Sequence, residues 1–474
     1  MRLERRYLNE RVELLEGVYG PDAYDELEEL GRLYNPTTGP ITSITLQRPE
    51  PVELSMVSAS CRHAPVGSLL RDLSARADIP DELPIPASGK GARLPRPVLG
   101  AVGEMAERLL AVLHFSAVTE SLLTATHAEL ERAGLRALAP AELPLFAPEQ
   151  YARAGFEYVP FESDTRLRWV EGARLCTGQP VLVPAQLVLM YSQTVAREAH
   201  IGYPTSGGLA FHRDRRRAIL HGLYEVIERD AVNLRWMCRL APPQVEVDVA
   251  EVLASAWELF PPRLETPAVG PITLYLNTVD VPIPVFTAMA FVHSRPERTL
   301  LSGGGAWSTR ERALAQTVFE LGQAQTALRA FRADSPKHVG PDTDPARMTD
   351  FFDVALYYGY PENHARLAWY REDGGTIAWD DVPELLFHDD EEELDAVVEL
   401  LEAADLDPIV VDLDGACPPG LHLTKVLVPE LTQAFIPSHP YLGHPRFSDV
   451  PFRLGLRDEP FADGELSADP PPFS

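Results

Sequence analysis

Apolar and polar positions follow two rhythms along this chain, one of period two and one near 3.6, and the rhythms change place repeatedly. Residues 3–33 carry Leu14, Leu15, Tyr24, Leu27 and Leu30 at partly helical spacing among many charges, which predicts an amphipathic helical arm. NPTTGP at 35–40 is a string of turn residues that ends it. β-Branched runs at 41–46 (ITSITL) and 52–60 (VELSMVSAS) predict strands. A Pro- and Gly-rich loop is expected over 80–96, then a helix from Val98 to the region of Thr126. PVLVPAQLVLMY (180–191) predicts a strand pair, TSGG (205–208) a turn and 213–236 a helix. VPIPVFTAMAFV (281–292) predicts a strand, SGGGAW (302–307) a glycine turn and 309–331 a further helix. Near the end an acidic amphipathic helix, DDEEELDAVVELLEAADLD, leads into PIVVDLD, a buried strand. Strands and helices alternate without a long linker. The expected architecture is one large α/β (mixed α+β) domain over 34–474, preceded by a helical arm at 1–33.

Three of the predicted helices repeat one spacing. Gly100, Glu104 and Glu107 lie at i, i+4 and i+7, followed by Arg108; His221, Glu225 and Glu228 repeat the offsets, followed by Arg229; Gln316, Glu320 and Gln323 repeat them again. Such residues stack along one helix face, while Leu99, Val102, Ala106 and Leu109, or Leu314, Val318 and Leu321, line the other. Like charges so placed repel slightly, so helix stability does not account for them. Each helix also follows a glycine-bearing segment: GKG at 89–91, SGGLAF at 206–211 and GGGAW at 303–307. Glycine lets backbone approach a ligand closely, and such segments can cradle phosphate oxygens. Clustered carboxylates call for a hard cation such as Mg²⁺. Helices and glycines together predict a nucleotide–Mg²⁺ pocket built from three separate segments, with neither a Walker nor a dinucleotide-binding fingerprint. The alternative is three solvated helix faces.

Composition narrows the partners. Asp and Glu number 70 against 42 Lys and Arg, a formal charge of −28, which argues against a nucleic-acid partner because phosphate backbones demand basic neutralisation. With 45% hydrophobic and 24% charged residues the chain reads as an ordinary globular protein. The charged start, MRLERRYLNERVELLEG, has no apolar core of a secretory signal, and no stretch predicts a membrane span. Cys61, Cys176, Cys238 and Cys417 are far apart and form neither a disulfide framework nor a zinc site, so a cytoplasmic location is expected. His63, His127, His212, His422 and His439 show no metal-ligand spacing.

TSGGLAFHRDRRRAILHGLYEVIERDA (205–231) resembles the glycine turn and ExxER helix of the YcaO family. GKGARLPRPVLGAVGEMAER (89–108) is similar to the family's earlier ExxER segment, and GGGAWSTRERALAQTVFELGQAQ (303–325) to its third helix. LYNPTTGPITSI (33–44) looks like the family's domain start and IVVDLDGACPPGLHLTKVLVPEL (409–431) like its final strand region. The resemblance implies ATP and Mg²⁺ as cofactors and activation of a peptide backbone amide. In azoline-forming members a Cys, Ser or Thr of a ribosomal precursor peptide attacks the preceding carbonyl, whose oxygen is then phosphorylated and lost. Other members make thioamides or amidines. Carried over by position, Glu104, Glu107, Glu225, Glu228 and Glu320 would hold Mg²⁺, and with Gln316 and Gln323 they would face the nucleotide. Arg108 and Arg229 would orient the carboxylates or contact phosphate. Apart from the resemblance, Lys90 and Lys425 read as further phosphate contacts because lysines are few in this chain, with Ser206 beside them.

The sequence departs from that pattern at several places. Arg213 and Arg217 stand where the family has an Asn and an acidic residue, Gly207 replaces Asn in the turn, Trp307 stands in place of His, and Gln325 in place of Arg. Arg213, Arg217, His221 and Glu225 are spaced by four and are expected on one helix face. Arginine near a helix start opposes the macrodipole. The two arginines read as an anion grip on the nucleotide, as the mark of a degenerate scaffold without ATP use, or as partners of surface carboxylates. The ending DPPPFS is similar to the family's proline-rich tail, which would bring the Ser474 carboxylate to the active site as a catalytic group. Only the short arm precedes the family-like core, so a separate leader-binding partner is expected. The arm reads as plain packing, with docking or a homodimer as alternatives.

Overall fold

The computed structural model describes residues 30–50, 53–67, 85, 87–92, 94–190, 198–254, 264, 266, 268–293, 300–334, 339–349, 351–461 and 465–473. The predicted arm falls almost wholly on residues 1–29 and so lies outside the described residues, as does Ser474. Among the described residues fourteen strands make three sheets. β1 (Ile41–Gln47), β2 (Val57–His63) and β3 (Ser88–Gly91) form an antiparallel sheet in that order. The second, of five strands, runs β11 (Leu300–Ala306), β10 (Val285–Phe291), β9 (Thr273–Leu276), β8 (Gln244–Glu246), β12 (Thr376–Ala378). The third, of six, runs β4 (Leu123–Thr126), β5 (Arg166–Arg174), β13 (Ile409–Asp412), β14 (His422–Leu427), β7 (Leu209–His212), with β6 (Pro180–Pro184) also paired to β5.

Each sheet ends on the strand that feeds a long helix: β3 leads to α1 (Arg96–Val118), β7 to α2 (Arg215–Met237) and β11 to α3 (Arg310–Asp334). Glycine sets how closely each pair packs. A Cβ on Gly89 of β3 would stand 1.9 Å from the Pro97 carbonyl oxygen of α1, and one on Gly303 of β11 would stand 2.6 Å from the Thr317 carbonyl oxygen of α3. Gly208, at φ +79, takes the left-handed conformation that glycine tolerates and lies against β14. The helices bury the faces their periodicity predicts, including Val102, Met105, Leu109 and Val112 in α1 and Leu220, Leu223 and Ile227 in α2. α4 (Asp390–Ala403) starts at the N-cap Asp389, which accepts from the Glu391 and Glu392 amides, and packs beside α2.

Three expectations are corrected. SGGGA of SGGGAW lies within strand β11, with Trp307 just after it, rather than in a turn; its glycines let α3 lie directly on that strand. The first helix stops at Val118, and LTAT, rich in threonine, continues as β4. Of the strand pair at 180–191 only β6 forms among the described residues, because the buried Gln186 side chain takes over backbone bonding, accepting from the Ile201 amide and donating to the Ala199 carbonyl. The proline-rich tail is docked as far as Phe473. Tyr358 donates to the Pro470 carbonyl, Ser302 to that of Pro472 and Trp236 to that of Asp469, and the Phe473 ring is buried against Trp236 and Tyr370. Among the described residues no helix is long and apolar enough to cross a membrane.

Candidate functional site

The recurring stripe resolves into two kinds of carboxylate. The i+4 glutamate of every helix reaches back to its own feeding segment: Glu104 accepts from the Ser88 amide (2.7 Å), Glu225 from the Gly208 amide (2.9 Å) and Glu320 from the Gly304 amide (2.9 Å). The separations along the chain are 16, 17 and 16 residues, so the same strand–turn–helix unit is built three times. The other oxygen of each faces a cation. Glu104 meets Arg108 at 2.7 Å, Glu320 meets Lys90 at 2.7 Å, and Glu225 meets Arg229 at a looser 3.9 Å. These three glutamates are held in place from both sides.

The i+7 glutamates are not. Burial, then the neighbouring Glu225 and Glu104, push the Glu107 carboxyl well above the usual carboxylate range, against the pull of Arg108 and Lys425. Burial and the nearby Glu320 and Glu225 likewise push Glu228 up to about 7, although Arg229 (3.8 Å) and Lys90 oppose the rise. In the third helix Gln323 occupies this position and donates to the Ser88 hydroxyl, joining α3 to β3. Lys90 to Glu320 makes a second bond between the same two units. The point where a Cβ on Gly304 would stand is 2.9 Å from Glu228 Oε1 and 3.8 Å from Glu320 Oε2, so α2 and α3 present their carboxylates across bare backbone.

Lys425 Nζ, from β14, donates to the carbonyls of Thr205 (2.7 Å) and Gly207 (2.5 Å), fixing the TSGG turn; burial lowers its pKa to about 8 despite Glu225 and Glu107. Ser206 sits in that turn, its carbonyl accepting from the Leu209 amide. Beside it Arg229, Lys425, Thr205, Gly207 and Thr432 line a small cavity.

The structure therefore brings Lys90, Glu104, Glu107, Arg108, Glu225, Glu228, Arg229, Glu320 and Gln323 into one linked group with Lys425. Gln316 is exposed on α3. Two departures have structural explanations. Gln325 is buried and brackets Leu54, accepting from its amide (2.9 Å) and donating to its carbonyl, so it ties α3 to the first sheet's approach. Arg213 and Arg217 do not share a helix face, because α2 begins at Arg215 with Asp214 as its N-cap, and Arg213 precedes the cap. Arg217 pairs with Asp390 (2.5 Å), Arg216 with Glu391 (3.3 Å) and Arg215 with Asp412 (2.8 Å). Sequence reasoning missed the backbone capture of the i+4 glutamates. The near-constant interval from glycine segment to glutamate was the signal available for it.

Among the described residues no three His, Cys, Asp or Glu side chains are gathered tightly enough to hold an ion by themselves. That suits Mg²⁺, which keeps several waters and takes one or two carboxylates plus substrate phosphates rather than an all-protein cage. Carboxylates at close quarters, two of them with charge that burial and like-charge neighbours oppose, and Lys90, Arg229 and Lys425 interleaved, have the chemistry that a polyanion with a hard cation would match. The chain belongs to the YcaO family. The family profile described as YcaO cyclodehydratase, ATP- and Mg²⁺-binding, matches residues 88–432, and the donor set above has the chemistry those cofactors call for. An uncharacterised protein of Methanothermobacter thermautotrophicus is 27% identical over 277 residues, covering 56% of this chain and 66% of its own. A heterocyclase in complex with substrate and cofactor superposes with a TM-score of 0.73 at 21% identity, over 95% of this chain and 57% of that one. The YcaO protein of Methanopyrus kandleri, bound with AMPPCP and Mg²⁺, superposes with a TM-score of 0.58 at 21% identity, over 90% of this chain and 92% of its own. The chain thus spans 57% of the length of the heterocyclase and 66% of the Methanothermobacter relative. These likenesses establish the fold.

Proposed function

We propose that this chain is an ATP-dependent cyclodehydratase that converts Cys, Ser or Thr residues of a ribosomally made precursor peptide to azolines in the cytoplasm, with a separate protein recognising the leader. The observation that carries the reading is a pair of glutamates without a backbone anchor, half-buried Glu107 on α1 and buried Glu228 on α2, beside three carboxylates that are anchored to backbone amides. When bound, MgATP supplies the phosphoryl group that turns an amide oxygen into a leaving group. The chain's own part is positioning and charge matching, which is most of what phosphoryl transfer asks of a protein. Glu104, Glu225 and Glu320 fix the frame, Glu107 and Glu228 lose their protons to balance the cation, and Lys90 and Arg229 face the phosphates.

The Ser474 carboxylate serves as the peptide-side base in this reading. Its support is the path of the tail, which reaches β11 at Ser302, two residues along the strand from Gly304. The same activation with an external sulfide or an internal amine gives the thioamide or amidine product. The Arg217–Asp390 ion pair favours a second reading, a scaffold that binds peptide without ATP, since it spends a side chain expected to grip the nucleotide on an exposed contact with α4.

The test is calorimetry with MgATP on the intact chain and a Glu107→Gln/Glu228→Gln variant, followed by mass spectrometry of Cys-, Ser- and Thr-rich precursor peptides incubated with the chain, its partner and ATP. Binding that is lost in the variant, with loss of one water per modified residue, is the expected outcome. No MgATP binding by the intact chain would establish the scaffold reading instead.

A further inference from the structure

The first sheet has an open edge. β3 lies on the side of the site, and among the described residues nothing pairs with the far side of β1 except one bridge at its start, Tyr34 to Ile41. The hydrogen bonds tell which backbone groups that edge offers. The Cys61 amide donates to the Ala87 carbonyl, on the β3 side of β2. In an antiparallel pair, a residue opposite one that turns its backbone groups away turns its own away too. Ile44 lies opposite Cys61 and Leu46 opposite Ala59, so both direct their N–H and C=O outwards from the sheet. The Ile41 carbonyl also points outwards, and it accepts from the Asn35 amide (3.0 Å). The backbone groups of Ile44 and Leu46 have no such partner among the described residues.

Proteins blunt exposed edges with short strands, charge or proline. β4 and β12, at the corresponding ends of the other sheets, have four and three residues, whereas β1 has seven and carries neither charge nor proline. Exposed apolar side chains flank the open stretch, Tyr34 at 42% and Leu46 at 43%. The border is basic, although the chain carries a charge of −28. Arg48 follows β1, Arg62 lies opposite Ser43 on β2, and Arg32 stands two residues before Tyr34; all three are exposed. The carboxylates that follow, Glu50 and Glu53, lie beyond Pro49, and Glu53 is buried, accepting from the Glu50 amide. Two copies of the chain pairing β1 with β1 across a two-fold axis would set these arginines against their own kind, so the edge suits an acidic occupant instead.

We propose that the open edge of β1 takes up an extended, acidic segment of the precursor peptide as a fourth strand of the first sheet. Main-chain bonds to Ile44 and Leu46 hold the segment whatever its sequence, apolar residues cover Leu46 and Tyr34, and acidic ones meet the arginines. That the peptide is the precursor rests on the cyclodehydratase reading above; the open edge and its basic border do not. Leader recognition stays with the partner, and β1 holds the stretch between the leader and the residues to be modified. The fourth strand would lie three strand spacings, about 14 Å, from β3 with its Lys90, a span that four or five extended residues cover.

Fluorescence anisotropy of the full chain with a short labelled peptide of alternating valine and glutamate tests it. The comparisons are its lysine counterpart, two forms N-methylated at every valine or at every glutamate, and a Leu46→Pro variant. Proline fits an edge strand where its N–H would face solvent, and an unchanged thermal melt and MgATP affinity check that the variant folds. The expected result is saturable binding of the acidic peptide that falls at least tenfold in Leu46→Pro, for the lysine peptide and for at least one methylated form. Absence of binding overturns the proposal, as does equal binding of the lysine peptide, of both methylated forms, or by a folded Leu46→Pro. A dimer in sedimentation velocity that Leu46→Pro dissolves also overturns it, in favour of a second copy. The methylated probes need no protein variant, so they decide the matter even where Leu46→Pro does not fold. If the acidic peptide binds at β1 but the intact chain takes no MgATP, the edge stands and the cyclodehydratase reading fails; if MgATP binds and the peptide does not, the edge alone fails.

Discussion

A glutamate with its charge opposed by burial is a proton reservoir. Glu228 keeps its proton in the folded chain up to about 7, whereas the unfolded chain releases it near 4.5. The folded state therefore binds more protons across that window, and this residue's contribution to stability is present below 4.5 and lost as pH rises towards 7. Glu107 acts in the same direction. Urea midpoints between pH 5 and 7.5 should fall less steeply in Glu228→Gln than in the native chain. Mg²⁺ with nucleotide should do the opposite to pH, binding more tightly as pH rises and releasing protons, which calorimetry in buffers of different ionisation heat reads directly. Gln325 makes a separate prediction. Its truncation in Gln325→Ala leaves the buried Leu54 amide without its acceptor, at about 1–3 kcal/mol by the usual cost of such a group, measured by urea denaturation.

At the level of elements, the close fit of helix on strand is what carries the geometry. Gly303→Ala sets a methyl against the backbone of α3 at Thr317 and Leu321, where no side chain can give way. The helix must shift, and Glu320 moves with it from the Gly304 amide and Lys90. The expected result is a lower melting temperature together with MgATP affinity reduced at least tenfold, whereas Gly103→Ala on α1, where a Cβ meets nothing within 4 Å, should leave both unchanged. This packing also explains what the sequence disclosed. The i, i+4, i+7 stripes were legible because a helix face is a local property, and the apolar face opposite confirmed it. The conformation of SGGGAW was not, because glycine reads as a turn until the helix packed on it is known. Likewise the face proposed for Arg213 depended on where α2 starts, which Asp214 decides by capping.

For the molecule as a whole, a buried ion cluster joins parts far apart in the chain. Arg446, on α5 (Arg446–Arg453), bonds Asp230 of α2 at 2.7 Å and Asp280 at 2.6 Å, and Asp230 also accepts from the Thr432 amide at 2.8 Å. Arg446→Met should cost about 3–5 kcal/mol because it strands the buried Asp230 carboxylate and leaves half-buried Asp280 to Arg453 alone, and chemical denaturation will show it. Thr432 lines the cavity beside Arg229, so the same variant should also loosen that wall. The three sheets, finally, are joined by the helices that their outermost strands feed: among the described residues α1 touches β7, α2 touches β11 and α3 touches β3. A ligand seated there acts as a keystone does in a vault. Its arrival should slow amide hydrogen exchange in β3, β7 and β11 together, to a similar degree, although no two of them are neighbours in any sheet.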